Sequence, residues 1–229
     1  LKTEEERAQI RLGSQLKPIV DAAQEELLVS TPYFVPQDTG VEYFGELKEK
    51  GLDVKVLTNS LLSNDVMVVH SGYAKYRKPL LEKGVRLFEL KPSGVVRQIK
   101  GIKKLTESSA SSLHAKTFVL DGRVLFVGSM NLDPRAVDKN TESGIVVKSP
   151  ELSSEVTKKI QVLSLPINSY QVMLRKDYEP GVSEKEGKDL IWVTRENGQI
   201  KTYDKDPGST WWDRTLVAFF GLLPIEGQL

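Results

Sequence analysis

Four polar residues at fixed spacing, His114, Lys116, Ser129 and Asn131, are the ones in this chain whose types could do chemistry together. A histidine nitrogen can attack an electrophile or shuttle a proton. A lysine brings a positive charge, and a hydroxyl and an amide bring neutral donors. That combination suits a phosphate. A phosphodiester repels nucleophiles through its own negative charge. Its catalyst must neutralise that charge, supply an attacking atom and protonate a poor leaving group.

The element that must position these residues is a β-hairpin. Residues 117–120 and 124–127 are short, apolar and β-favouring, and Asp121-Gly122 lies between them. Asp-Gly is a strong two-residue turn signal, because both central positions need φ > 0. Such a turn predicts Leu120 opposite Arg123, Phe118 opposite Leu125, Lys116 opposite Val127 and His114 opposite Ser129. Side chains alternate along a strand, and opposed residues share a face. His114, Lys116 and Ser129 are therefore expected together at the open end, with Asn131 joining them if the second strand runs that far. Asp121 sits in the turn, away from this cluster, and reads as a structural residue bonded to nearby backbone amides.

The pattern His114-x-Lys116, then Asp121, then Gly128-Ser129-x-Asn131 resembles the signature of the phospholipase D superfamily. Ser30-Thr31-Pro32-Tyr33-Phe34-Val35-Pro36 resembles the loop that opens the second half of bacterial cardiolipin synthases and related enzymes. Leu57-Thr58-Asn59-Ser60-Leu61, Asn64-Asp65-Val66 and the run from His70 to Arg77 are similar to the next segment of those enzymes. The tail, with Trp211-Trp212 and Leu223-Pro224-Ile225-Glu226, is similar to their end. The resemblance implies a catalytic set of His114, Lys116, Asp121 and Glu142, with Lys116, Ser129 and Asn131 holding the substrate phosphate. It implies a phosphohistidine intermediate and neither metal nor cofactor. Glu142 falls where single-motif nucleases of the family place a carboxylate that orients the histidine and fixes its tautomer. Most members carry two copies of the motif, and this chain has one: His70-Ser71-Gly72 lacks a lysine two places on. The chain also begins Leu1-Lys2 rather than with Met. The expectation is a piece from which the first half is absent. The alternative is a single-motif subunit that pairs with itself.

Composition sets the bounds. The 229 residues are 39% hydrophobic and 28% charged, so a globular core is expected. A net charge of +1 argues against a chain-wide polyanion binder and leaves electrostatics to local patches. One such patch is predicted over residues 75–104, where ten basic residues meet only Glu82 and Glu89. With no cysteine there is neither disulfide nor thiol catalysis, and two histidines make no metal-ligand pattern. No apolar run is long enough to span a membrane.

Along the chain, residues 2–24 read as helix, divided by Gly13 and Pro18. Strands are expected at 27–31, 54–57, 85–90 and 141–147, and helices at 39–50, 65–83 and 150–163. Pro79 is expected to kink the second of these helices or start a new piece. Ser149-Pro150 reads as an N-cap and first-turn pair for the third. Residues 91–112 form a long, serine-rich loop. Further strands at 169–174, 190–194 and 200–203 turn at Asn197-Gly198, and Ser209 is expected to cap a last helix at 210–222.

The predicted fold is α/β, a mixed-sheet α/β/α sandwich of the phospholipase D type. Residues 1–165 form the catalytic half-domain and 166–229 a small C-terminal extension. The tail, with Trp211, Trp212, Phe219 and Phe220, reads either as a docked helix or as an interfacial segment. The function implied is a phosphodiesterase or phosphatidyltransferase on phospholipids, cardiolipin synthase-like and peripheral at a bacterial inner membrane. Its partners are a phospholipid substrate, a second half bearing His-x-Lys, and an anionic membrane surface. Two alternatives stand: an endonuclease acting as a dimer on nucleic acid, and a catalytically incomplete phosphate- or lipid-binding module.

Overall fold

The structure, a computed structural model, describes residues 11–92, 113–178 and 189–223. Nine strands form one mixed sheet in the order β6-β5-β4-β1-β2-β3-β7-β8-β9. They are β1 Glu26–Ser30, β2 Asp53–Asn59, β3 Arg86–Leu90, β4 Lys116–Leu120, β5 Val124–Gly128, β6 Gly144–Lys148, β7 Ser169–Leu174, β8 Leu190–Glu196 and β9 Gln199–Tyr203. The first three are parallel, and every other pairing is antiparallel. Parallel strands need a crossover, and α2 (Gln37–Glu49) makes the first one. The second uses α3 (Met67–Ala74) and α4 (Arg77–Glu82), separated at Lys75-Tyr76. Pro79 lies inside α4 rather than at its start. Helix α1 (Leu12–Asp21) likewise runs through both Gly13 and Pro18, held by the buried Leu16 and Val20. The part of that helix expected before residue 11 lies outside the described residues.

Alternation along the strands sends side chains to two cores. Leu27 and Val29, Val54 and Val56, Phe118 and Leu120, and Phe126 face the larger one, against α1 to α4. Leu28, Leu57, Val119 and Leu125 face the smaller one, against Ile160 and Leu163 of α6 (Pro150–Leu163). Ser149 caps α6 by accepting the Leu152 N–H. Helices thus cover both faces of an α/β sheet. Strands β7 to β9 complete this same sheet, because β7 pairs with the otherwise free edge of β3.

The last helix, α8 (Trp211–Leu222), packs on α3. Its cap is Thr210, one residue later than expected: Thr210 and Asp213 form a reciprocal capping box. One face is left bare, with Trp211, Trp212, Leu216, Phe219 and Leu222 exposed, whereas Phe220 is half-buried. The helix is short, and among the described residues none is long and apolar enough to cross a membrane.

The segment leading into α8 is tied down by charge. Arg77 is 2% exposed. Its guanidinium donates to Glu89 at 2.8 Å and to Asp206 at 2.6 Å, and to Nε2 of the fully buried His70 at 2.8 Å. Tyr73 and Trp192 also donate to Glu89, and their rings flank the guanidinium. Burial alone would raise the Asp206 pKa, but Arg77 and His70 outweigh it and hold that carboxyl well below the usual range. His70 is therefore a buried partner in an ion cluster rather than a surface or site histidine.

Five of the six described members of the predicted basic patch sit against carboxylates. Besides Arg77, Lys78 pairs with Asp189, Lys83 with Glu42 and Arg86 with Asp53. Lys91 is nearly buried beside Glu196. Residues 97–104 of that run, and the serine-rich loop, lie outside the described residues.

Candidate functional site

The hairpin forms where expected, with a different register. Asp121 and Gly122 both take positive φ, 51° and 61°, and Arg123 N–H donates to the Leu120 carbonyl. The ladder, however, begins at Leu120 opposite Val124, so the loop holds three residues rather than two. Phe118 then faces Phe126, and Lys116 faces Gly128. The small residue is required there. A Cβ on Gly128 would come within 2.6 Å of both the Phe126 ring and the Ser143 carbonyl, and its neighbour Gly144 is packed under the same ring.

Lys116 shares its face with Phe118 and Leu120, at the end of the larger core. Leu113 is buried with Val119 in the smaller core, and His114 follows it in the segment before β4. Lys116 Nζ donates to the His114 carbonyl at 3.0 Å, and the His114 side chain is exposed. Half-burial pulls the Lys116 pKa down, and the carboxylates of Glu142, Asp65 and Asp133 pull the other way. Of these three, Asp65 was missed from sequence. It lies in the loop after β2, where it accepts from the Tyr33 hydroxyl at 2.9 Å. Burial, and then this carboxylate, push the Tyr33 pKa up to about 12.

Ser129 lies one residue past the end of β5, so it reaches the cluster through the bend there and not through strand alternation. Its hydroxyl donates to Glu142 and accepts the Ser143 N–H at 3.0 Å. The other Glu142 oxygen accepts from the Asn140 amide at 3.1 Å, and Asn140 in turn accepts from Arg135. Glu142 was expected to orient His114. The structure engages its carboxylate with Ser129 and Asn140 instead, because β6 starts at Gly144 and leaves Glu142 in the preceding loop. Asn131 Oδ1 is buried without a partner. Buried polar atoms are rarely left so; this one accepts, so it calls for a donor, and only the Nδ2 of the same amide could donate to a phosphate oxygen.

Asp121 is at the closed end of the hairpin, not at the mouth. Its carboxylate accepts the backbone N–H groups of Gln24, Glu25 and Glu26 at 2.8–3.2 Å, fastening β4 to the start of β1. Burial would raise its pKa, but these three amides outweigh it and lower it below the usual 3.8. The mouth has a fastening of its own. Asn59, at the end of β2, accepts the Leu113 N–H at 2.9 Å and donates to the Leu113 carbonyl at 3.3 Å. It thereby holds both backbone groups of the residue before His114. Sequence reasoning placed Asn59 only in a polar loop. Asp133 caps α5 (Pro134–Asp138) by accepting the Ala136 N–H, and Arg135 donates to Asn140.

The cluster offers a phosphate a cation and an amide, and a hydroxyl once Ser129 turns its hydrogen away from Glu142, next to a segment that carries an exposed histidine. A family model described as "Cardiolipin synthase, PLD-like domain" matches residues 16–163. Cardiolipin synthase C of Escherichia coli K12 is 36% identical over 218 residues, which is 95% of this chain and 44% of that protein. A Helicobacter pylori protein of no stated function is 30% identical over 88% of this chain and 37% of its own length. The chain therefore spans less than half the length of these curated relatives. Among solved structures, the phospholipase D family member Nuc of Salmonella typhimurium matches with a TM-score of 0.50 at 17% identity, covering 65% of this chain and 83% of Nuc. Phosphatidylserine synthase of Haemophilus influenzae matches with a TM-score of 0.52 at 16% identity, covering 70% of this chain and 36% of that one. At these identities the structural likeness shows a shared fold.

Proposed function

The chain belongs to the family of cardiolipin synthase phospholipase D-like domains, and from that premise we propose that it is the part of a phosphatidyltransferase or phosphodiesterase that carries one of two reacting histidines. The observation that supports this most directly is the half-buried Lys116 ammonium, held on the His114 carbonyl and acted on by Glu142, Asp65 and Asp133, with the His114 side chain exposed. In this reading Lys116, Ser129 and Asn131 bind the phosphoryl oxygens, and charge-assisted bonds hold them more firmly than neutral ones. The His114 nitrogen attacks phosphorus. The bond from phosphorus to the leaving alkoxide breaks, and a second histidine protonates that oxygen. The same second histidine then takes the proton of the incoming alcohol or water, which displaces His114. Where His114 instead belongs to the acid–base half, the roles exchange and the phosphate grip is unchanged.

One imidazole fills only one of these two roles, so the second comes from another half bearing His-x-Lys, on the same polypeptide or on a second copy. The Ser129–Glu142 pair positions the hydroxyl and adds negative charge near Lys116. Residues 1–165 act as the catalytic half-domain. Residues 166–229 act as an extension whose exposed Trp211, Trp212 and Phe219 rest on the membrane surface that holds the substrate.

Activity on phosphatidylglycerol vesicles tests this reading. Little turnover is expected of the 229-residue chain alone, and a marked gain once a polypeptide with a second motif is supplied. A His114→Gln chain that supports the same gain would overturn it.

A further inference from the structure

Behind the hairpin mouth, on the larger-core face, lies a cavity of about 400 Å³. Val29 and Phe118 of the sheet form its floor, Leu16 and Val20 of α1 one wall, and Met130 and Leu132 another. Protein interiors are close-packed, with few voids larger than a water molecule. Pockets of roughly 300–1,000 Å³ lined mostly by apolar side chains are the usual form of small-molecule sites. A lining residue, Gln37, holds a φ of 58°, a left-handed backbone that a non-glycine residue adopts only when its surroundings enforce it.

The cavity is lined by sequence neighbours of the candidate phosphate grip, not by Lys116, Ser129 or Asn131 themselves. Phe118 is two residues from Lys116 on the same face of β4. Met130, Leu132, Asp133 and Pro134 line the cavity, and they flank Asn131 in the segment directly after Ser129. Asp133 lines the cavity and also acts on the Lys116 ammonium. A ligand that satisfies both places has a single anionic phosphate joined to a long apolar arm. A nucleic acid has no such arm.

We propose that this cavity receives an acyl chain of the phospholipid whose phosphate is held by Lys116, Ser129 and Asn131. The proposal rests on the reading of that cluster as a phosphate grip. It makes the structure selective for amphiphiles by a feature separate from the reacting groups.

Calorimetric titration of the full chain with monomeric dibutyryl- and dioctanoyl-phosphatidylglycerol tests it. Affinity should rise by up to about fourfold for each methylene that enters the cavity, as expected from ~0.8 kcal/mol per buried CH₂. Val137→Phe, which fills the cavity from α5, should abolish the chain-length gain and leave the dibutyryl affinity unchanged. Leu16→Phe, from the opposite wall, gives the same test if the first variant fails to fold. Equal affinity for the two lipids overturns the acyl site and leaves the phosphate grip standing. So does a filled variant that keeps the gain, or one that alters only the oligomeric state. If neither lipid binds and inorganic phosphate displaces nothing, the grip and the acyl site fall together.

Discussion

Two places in this molecule gather a histidine, a cation and carboxylates, and they are built to opposite ends. Around Arg77, the partners His70, Glu89 and Asp206 converge from α3, β3 and the segment before α8, with two aromatic rings sealing the guanidinium. Only His70 Nδ1 is left over there. Around Lys116, the ammonium bonds a backbone carbonyl, the imidazole of His114 is exposed, and Asn131 keeps an idle acceptor. The sealed cluster has its geometry enforced by pairing and no room for a ligand. The open one has its backbone fastened from behind, through Asn59 and Asp121, while the His114 side chain is exposed and Asn131 Oδ1 unpaired. The same residue types are structural in one setting and available for chemistry in the other, and the difference is how completely their hydrogen bonds are used up.

Substitutions should separate the two. The largest effect is expected of His114→Gln in a complex that contains the second motif: turnover falls by roughly 10²–10⁴-fold, the range for losing a positioned acid–base group, with the thermal midpoint unmoved. Arg77→Met should do the reverse. It strands buried carboxylates and costs about 3–5 kcal/mol in urea denaturation, the usual penalty for breaking a buried ion pair. A midpoint unchanged in Arg77→Met would mean the sealed cluster is not structural after all.

Acid should expose the sealed cluster and the Asp121 fastening together. Both Asp206 and Asp121 have folded-state pKa values below the ordinary 3.8. Each therefore stabilises the fold at neutral pH, and that contribution drains away as pH falls below the ordinary value and through the lower folded one. Asp206→Asn and Asp121→Asn should each flatten the acid limb of a stability–pH curve, the former more. The smallest effect belongs to the open cluster. Glu142→Gln removes a carboxylate that supports the Lys116 charge, so the alkaline limb of the pH–rate profile should move to lower pH.

Much of this was readable beforehand because it rests on local rules. Alternation placed Phe118 and Val119 on opposite faces, and Asp121-Gly122 marked the reversal. What was not readable depends on distant partners or on one hydrogen bond. The hairpin register slipped by one because the same Asp-Gly pair serves a three-residue loop, and nothing in its residue types distinguishes the two ladders. Lys83, Arg86 and Lys78 looked like a basic face because Glu42, Asp53 and Asp189 lie far from them in sequence. The place of His70 in an ion cluster was not readable because Asp206 is 136 residues away. Asn59 could not be recognised as the support of Leu113 without the fold that brings β2 to the hairpin mouth.

Asp121 and Asn59 together leave the reactive ribbon no end on which to swing. It behaves as a beam anchored at both tips, one to the chain entering β1 and the other to the chain leaving β2. The backbone that carries His114 and Lys116 is then set when the polypeptide folds, so the phosphate binding proposed at the mouth is spared that ordering cost.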